Sequence, residues 1–199
     1  MKAASLLLCD DLDDSRFMAE QLDINNNHRR KLEEKIEADV LNQLSAYPEL
    51  VAGRIIVVAG EGYHQGVVGI VASSITERYG KPSIVLDIDE EGNAKGSARS
   101  IDGFNIYDAI ASCSDVLEHF GGHTKAAGLS LFANKINEFR QRINDFAFEN
   151  YSVMPVQSID IDFKISPFYL DLGLAKNLSV FEPYGEGNKR ACLLYTSPS

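Results

Sequence analysis

RIIVVAGEGYHQGVVGIVASSITERYGKPSIVLDID, residues 54–89, decides the fold, because its apolar residues change period twice within 36 positions. RIIVVAG (54–60) is a short β-branched run ended by glycine, the pattern of a buried strand. VVGIVASSITERYG (67–80) then carries Val67, Ile70, Val71, Ser74 and Ile75 at helical spacing, with Gly80 placed as a stop. PSIVLDID (82–89) returns to a strand pattern. Strand, helix and strand in this order predict an α/β domain.

Working outward, AKGSARSI (94–101) reads as a third strand whose side chains alternate between faces. NIYDAIASCSDVLEHF (105–120) is expected to be a helical region, with Ile106, Ala109, Ile110 and Cys113 spaced for burial. AAGLSLF (126–132) predicts another strand. KINEFRQRINDFAFEN (135–150) predicts an amphipathic helix whose Ile136, Phe139, Ile143 and Phe146 form one core-facing stripe. A domain over residues 51–150 follows from these elements.

On its N-terminal side, Leu32, Ile36, Val40 and Leu44 recur at i+4, which marks a long connector helix ending before Pro48. Asp13 or Asp14 is the expected cap, and Asn25 to Asn27 mark a place where the helix can divide in two. After a shift in composition at 151–155, VQSIDIDFKIS (156–166) alternates Ile159, Ile161, Phe163 and Ile165 with polar residues, as the first strand of a further β domain would. LDLGLAKNLSVFEP is helix-like and YGEGN (184–188) is a turn. The remaining residues are too few to close a barrel, so this last domain is expected to be truncated, and CLLYTSPS (192–199) reads as a non-native tail.

Composition narrows the function. The 199 residues are 45% hydrophobic and carry a formal net charge of −10. A broad basic surface for nucleic acid is therefore excluded, and any phosphate contact has to be local. No run of about eighteen apolar residues is present, and MKAASLLLCDD is too briefly apolar for a secretory signal. A cytoplasmic protein without membrane contact is the expectation. Cys9, Cys113 and Cys192 fit neither a metal-binding spacing nor an even disulfide framework, and Cys9 and Cys113 read as packed small apolar residues.

Three glycine-bearing clusters carry the candidate chemistry. In GYHQGVVG (62–69), Gly66 and Gly69 open a helix directly after a strand, where free N–H groups and the positive helix end suit an anion; a tight turn needing glycine explains them equally. In KGSARS (95–100), Ser97 and Arg99 share one face of the strand and offer a hydroxyl and a guanidinium fork to a phosphate, while Ser100 faces the other way unless a bulge intervenes. In FGGHTKAAG (120–128), the amides of Gly121 and Gly122 can form an anion-binding concavity beside His123, with Ala126 and Ala127 leaving room for a sugar or base; close strand packing accounts for the same bareness. Asp10, Asp11, Asp13 and Asp14 cluster without a histidine, so a capping, solvated turn describes them better than a metal centre.

The succession HQGVVGIVASSITERYGKPSIVL, KGSARSIDGFNIYDAI and FGGHTKAAGLSL resembles the substrate-binding domain that accompanies the DHH phosphoesterase domain, as found in the RecJ family of single-strand-specific 5′ to 3′ DNA exonucleases. Residues 1–50 resemble the end of that family's catalytic domain and its connector helix, and SVFEPYGEGN resembles part of its oligonucleotide-binding (OB) domain. The resemblance implies a mixed-sheet α/β domain with flanking helices, preceded by the long connector and followed by a truncated OB-like segment over 151–191. It further implies that Ser97, Arg99, Gly121, Gly122 and His123 bind the phosphate of single-stranded DNA, with His64, Gln65, Gly66 and Ser100 nearby. The Asp-His-His metal motifs do not occur in this chain, so Mn²⁺ or Mg²⁺ is expected in the complete enzyme and none here, and the chain alone is expected to be inactive. A phosphodiesterase of short oligoribonucleotides or cyclic dinucleotides shares the GGH element, and a non-catalytic nucleic-acid-binding module is the other alternative. DNA-repair proteins suit such an enzyme as partners, but nothing in the residues identifies one.

Overall fold

The β-branched run after Arg54 forms β1 (Ile56–Glu61), and the return to apolar residues after Gly80 forms β2 (Ser83–Ile88), which pairs with it in parallel from Ile56↔Ser83 to Glu61↔Ile88. A parallel pair needs a crossover, and the intervening residues supply it as a helix, Gln65–Tyr79. The computed structural model describes residues 2–156, 161–185 and 187–195. In chain order the helices of its first part are α1 (Lys2–Leu7), α2 (Leu12–Ala46), α3 (Glu49–Ala52), the crossover α4, α5 (Ile106–Ala111) and α6 (Ile136–Asn150). Three more strands, β3 (Asn93–Arg99), β4 (His119–His123) and β5 (Ala126–Phe132), complete a mixed sheet of order β1-β2-β3-β5-β4. The α/β class with a mixed sheet and flanking helices is the one its sequence predicts.

The sheet is buried on both faces, though not to the same extent. Ile55, Val57, Ile84, Leu86, Ala98, Leu129 and Leu131 point to one face and pack against α5 and α6, where Phe139 and Ile143 are fully enclosed. Ile56, Val58 and Val85 point to the other, under α4 and the C-terminal half of α2. Each fully enclosed Ile, Val or Phe stabilises the fold by about 1.5–3 kcal/mol, so these two layers set its geometry. Strand β1 is an edge, and α6 closes it: Asn144 exchanges two hydrogen bonds with the backbone of Ile55, and Arg140 donates to the carbonyl of Val57. Burial lowers the pKa of Arg140. Strand β4, the opposite edge, is exposed over most of its length.

Several expectations are corrected. The connector is one continuous helix of 35 residues, not two, and its cap is Asp11, whose carboxylate accepts from the N–H groups of Asp13 and Asp14. Asp13 and Asp14 instead occupy the first turn, where negative charge is favoured. The asparagines do not break the helix because their side chains bond along it: Asn27 donates to Asp23, and Asn26 accepts from Arg29. On α4, Ile70 is 37% exposed and Ser74 only partly buried, whereas Ala72 and Thr76 are buried. This helix packs on the sheet and on α2 at once, which turns its buried stripe by about one position. The helical reading of 105–120 holds only for α5 and a 3₁₀ turn at Ser114–Val116, since His119 and Phe120 already belong to β4.

The chain divides into two compact units, Met1–Gln157 and Ser158–Ser199. In the second, α7 (Leu172–Asn177) and a 3₁₀ turn (Leu178–Phe181) lie where a helix-like pattern is expected, and Gly185 and Asn188 form a single bridge across the predicted turn. The strand expected over 156–166 is not formed by residues 161–166, and 157–160 lie outside the described residues. Ile161 and Phe163 are 66% and 78% exposed, having no partner strand among the described residues to bury them. No helix of the described residues is long and apolar enough to cross a membrane.

Besides the apolar packing of Ile36, Val40 and Leu44, a buried tyrosine ties the connector to the sheet domain. The ring of Tyr63 occupies the space that any side chain at residue 60 would need, and its hydroxyl donates to Asp39 of α2 and accepts from Gln43 at 3.0 Å. Burial, followed by the neighbouring Asp39 carboxylate, raises the Tyr63 phenol above its ordinary value of 10.0. Ionisation therefore favours the unfolded chain, and stability present below pH 10 is lost as pH rises beyond it. Tyr63→Phe is expected to cost about 1 kcal/mol at neutral pH, or roughly 2–4 °C in melting temperature. Melting curves of parent and variant should converge above about pH 10; a difference that stays constant would show that the phenol is not the titrating group.

Candidate functional site

Antiparallel pairing of β3 with β5, and of β5 with β4, aligns residues in rows across the sheet. One row runs Ser83, Arg99, Ala126, His123; the next runs Val85, Ser97, Gly128, Gly121; a third runs Asp87, Lys95, Ser130, His119. Alternation puts all three rows on the α4 face of the sheet. Helix α4 covers only the β1–β2–β3 side, so β5 and β4 form a bare shelf beside it, floored by Gly128 and Gly121. Nothing lies within 4 Å of the point where a side chain on Gly121 would begin. Two strand spacings separate Arg99 from His123, about 10 Å between Cα atoms.

Arg99 stands at the inner wall of this shelf, half buried between α4 and β3. Its Nη1 donates to Ser97 Oγ at 2.6 Å and to the carbonyl of Ala98 at 2.9 Å, which holds the guanidinium plane in place. Among the described residues no carboxylate pairs with it. A half-buried guanidinium, oriented by neutral acceptors and left without a counter-ion, has its remaining N–H groups available for a bidentate anion. Lys95 lies on the same face and is exposed, so the shelf carries Lys95, Arg99, His119 and His123 within a chain of net charge −10. A hollow of about 230 Å³ adjoins Arg99, with Ser73 and Thr76 of α4 on one side and Lys125 on the other. Lys125 is held by Asp102 at 2.5 Å.

The other predicted residues are not all brought to this place. Gly121 and Gly122 lie in an extended strand rather than a loop, so their N–H groups lie in the plane of the sheet and do not converge as a nest would. Gly122 faces the opposite side from Gly121. Its φ is 149°, and a side chain there would run into the carbonyl of Ala126 and come within 2.5 Å of Ala127 Cα. The bareness of FGGH thus has two causes, close strand packing at Gly122 and an open floor at Gly121. Ser100 lies past the end of β3, and its hydroxyl donates to the carbonyl of Phe104 at 2.8 Å inside a turn. His64 caps α4 by accepting the N–H of Gly66 at 3.0 Å, which uses the donor expected to meet an anion. Gln65 bridges Asp87 and the carbonyl of Lys95, both at 3.1 Å. Both residues sit at the Lys95 end of β3, about 13 Å along the strand from Arg99.

A larger hollow of about 670 Å³ lies past the ends of β1 and β2, lined by Glu61, Asp87, Asp89 and Glu90. Four carboxylates make it a poor place for phosphate. Hydrogen bonds from the side chain and backbone of Asn93 lower the pKa of Asp89, which organises the β2–β3 turn. No group of three or more His, Cys, Asp or Glu among the described residues is placed to hold a metal ion.

The sheet order and the crossover helix define a mixed-sheet α/β domain, and the model of the DHHA1 domain matches residues 52–149 of it. Over nearly its whole length the chain is similar to part of RecJ. It is 36% identical over 196 residues to the single-stranded-DNA-specific exonuclease RecJ of Bacillus subtilis, across 96% of this chain and 24% of that protein. With the RecJ of Thermus thermophilus it shares 33% identity over 99% of this chain and 28% of that protein. The crystal structure of Thermus thermophilus RecJ in complex with Mg²⁺ superposes with a TM-score of 0.77 at 32% identity, across 94% of this chain and 29% of that one. A crystal structure of exonuclease RecJ bound to manganese gives 0.63 at 31% identity, across 74% and 36%. The chain thus spans about a quarter of the length of these two curated relatives.

Proposed function

We propose that this chain is the DNA-gripping region of a single-stranded-DNA-specific 5′ to 3′ exonuclease. The observation that carries the proposal is the Arg99 guanidinium at the wall of a flat shelf, oriented by Ser97 and without a carboxylate partner among the described residues. A phosphodiester seated on Arg99 and Ser97 receives charge-assisted hydrogen bonds, with His123 and Lys95 reaching neighbouring phosphates. The glycine floor lets a strand of nucleotides lie close to the sheet, which a side chain at 121 or 128 would prevent. These residues position the phosphodiester and stabilise its charge; none of them is assigned a proton transfer.

The residues described here do not fit a two-metal centre, so no step of the hydrolysis is routed through them. The relatives crystallised with Mg²⁺ and Mn²⁺ support divalent-metal chemistry in the complete enzyme, supplied by a DHH domain outside this chain. We assign residues 1–50 to the end of that domain and its connector, 51–150 to substrate binding, and 151–191 to the start of an OB domain. A cytoplasmic location suits a DNA substrate.

Two measurements test this reading. The chain should bind a fluorescent single-stranded oligonucleotide and release it to unlabelled single strand more readily than to duplex. Incubated with single-stranded DNA and either Mn²⁺ or Mg²⁺, it should liberate no mononucleotide, and metal-dependent release would place the chemistry within these residues.

A further inference from the structure

Gly69 lies inside α4, where glycine is a poor choice for a helix and alanine a better one. Its surroundings give a reason for the choice. A methyl group built on Gly69 would lie 2.7 Å from Arg99 Nη2, 3.2 Å from Ser97 Oγ and 3.4 Å from Arg99 Cζ. Those three atoms are the nearest it meets. No backbone atom of another element stands among them, so the first groups an added side chain would meet are the guanidinium and the hydroxyl that holds it. By contrast, the glycines that keep strands together face backbone: Gly96 opposes Leu86 Cα at 2.8 Å, and Gly122 opposes Ala127 Cα at 2.5 Å.

We infer that Gly69 is a positioning residue: the missing side chain seats the Arg99 guanidinium against Ser97, so α4 sets where the phosphate is held. The inference rests on the phosphate reading of Arg99 and extends it to a residue that touches no DNA. A methyl at 69 would push the flexible end of Arg99 away from Ser97 Oγ without moving a strand. Its signature is therefore a split between stability and binding. Gly69→Ala should melt at or above the parent temperature, because helix propensity improves, while affinity for a single-stranded oligonucleotide falls about tenfold.

The test uses this chain in four forms: parent, Gly69→Ala, Arg99→Ala and the double variant, each measured for melting and for affinity to one labelled single-stranded oligonucleotide. If Gly69 acts only through Arg99, Gly69→Ala weakens the parent but adds no further loss to Arg99→Ala. Equal losses in both backgrounds, or unchanged affinity of Gly69→Ala beside a weakened Arg99→Ala, overturn this inference and leave the phosphate reading standing. Unchanged affinity of Arg99→Ala overturns both. A marked drop in melting temperature for Gly69→Ala also counts against it, because it would mean that the glycine serves packing.

Discussion

Gly96→Ala is expected to lower the melting temperature by roughly 10 °C and to abolish DNA binding as a consequence. At this position in β3 the added methyl would overlap the carbonyl of Val85 and come within 2.8 Å of Leu86 Cα and Cδ2. The obstacle is backbone of the neighbouring strand, so relief requires β2 and β3 to separate along the pairing from Ser83↔Arg99 to Ile88↔Ala94. Overpacking of this kind costs about 3 kcal/mol or more when no side chain can yield. That is a large share of the roughly 5–15 kcal/mol by which domains are stable, and at about 2–4 °C per kcal/mol it gives the expected shift. The residue sits between Lys95 and Ser97, inside the cluster with the candidate chemistry, yet its glycine serves the sheet. Melting followed by circular dichroism checks it, and a shift of only a few degrees would mean that the two strands have room to spare.

That glycine shows which parts of this protein can be read without its structure. The strand–helix–strand of 54–89 is legible because its burial is one-sided enough to leave a period. Where a helix is wedged between two layers, as α4 is between the sheet and α2, the buried set shifts, so that Ile70 is exposed against expectation and Thr76, outside the expected stripe, is buried. Residues 119 and 120 look helical in isolation because strand β4 exists only through pairing with β5, a contact the local pattern does not carry. In the site, alternation along KGSARS puts Ser97 and Arg99 together, and the same rule places Lys95 beside them, a residue the sequence reading passed over. The remaining misses differ in range. That Gly69 faces Arg99 is set by how distant segments meet, whereas the bond between the His64 ring and the Gly66 N–H is a local cap, and Gly121 and Gly122 face opposite ways because pairing with β5 makes them consecutive strand residues.

Arg99→Ala should weaken binding of a single-stranded oligonucleotide by tenfold or more and remove about half or more of its salt dependence. The chain is acidic overall, so long-range attraction contributes little, and affinity has to come from one or two phosphates held by directed donors. A hydrogen bond to a charged group contributes about 1.5–3 kcal/mol, which converts to at least a tenfold change. Each neutralised phosphate on a single strand adds about 0.7 to the slope of log affinity against log salt concentration. The parent slope should therefore be shallow, about −0.7 to −1.4, and Arg99→Ala should remove about half of it or more. Arg29 pairs with Glu33 on the connector at 2.7 Å and lies off the shelf, so Arg29→Ala should change neither affinity nor slope. Titrations at several salt concentrations decide the matter. A steep slope that survives Arg99→Ala would place the DNA elsewhere on the chain and make Ser97 and Arg99 a structural pair, their hydrogen bond serving only to hold the end of β3.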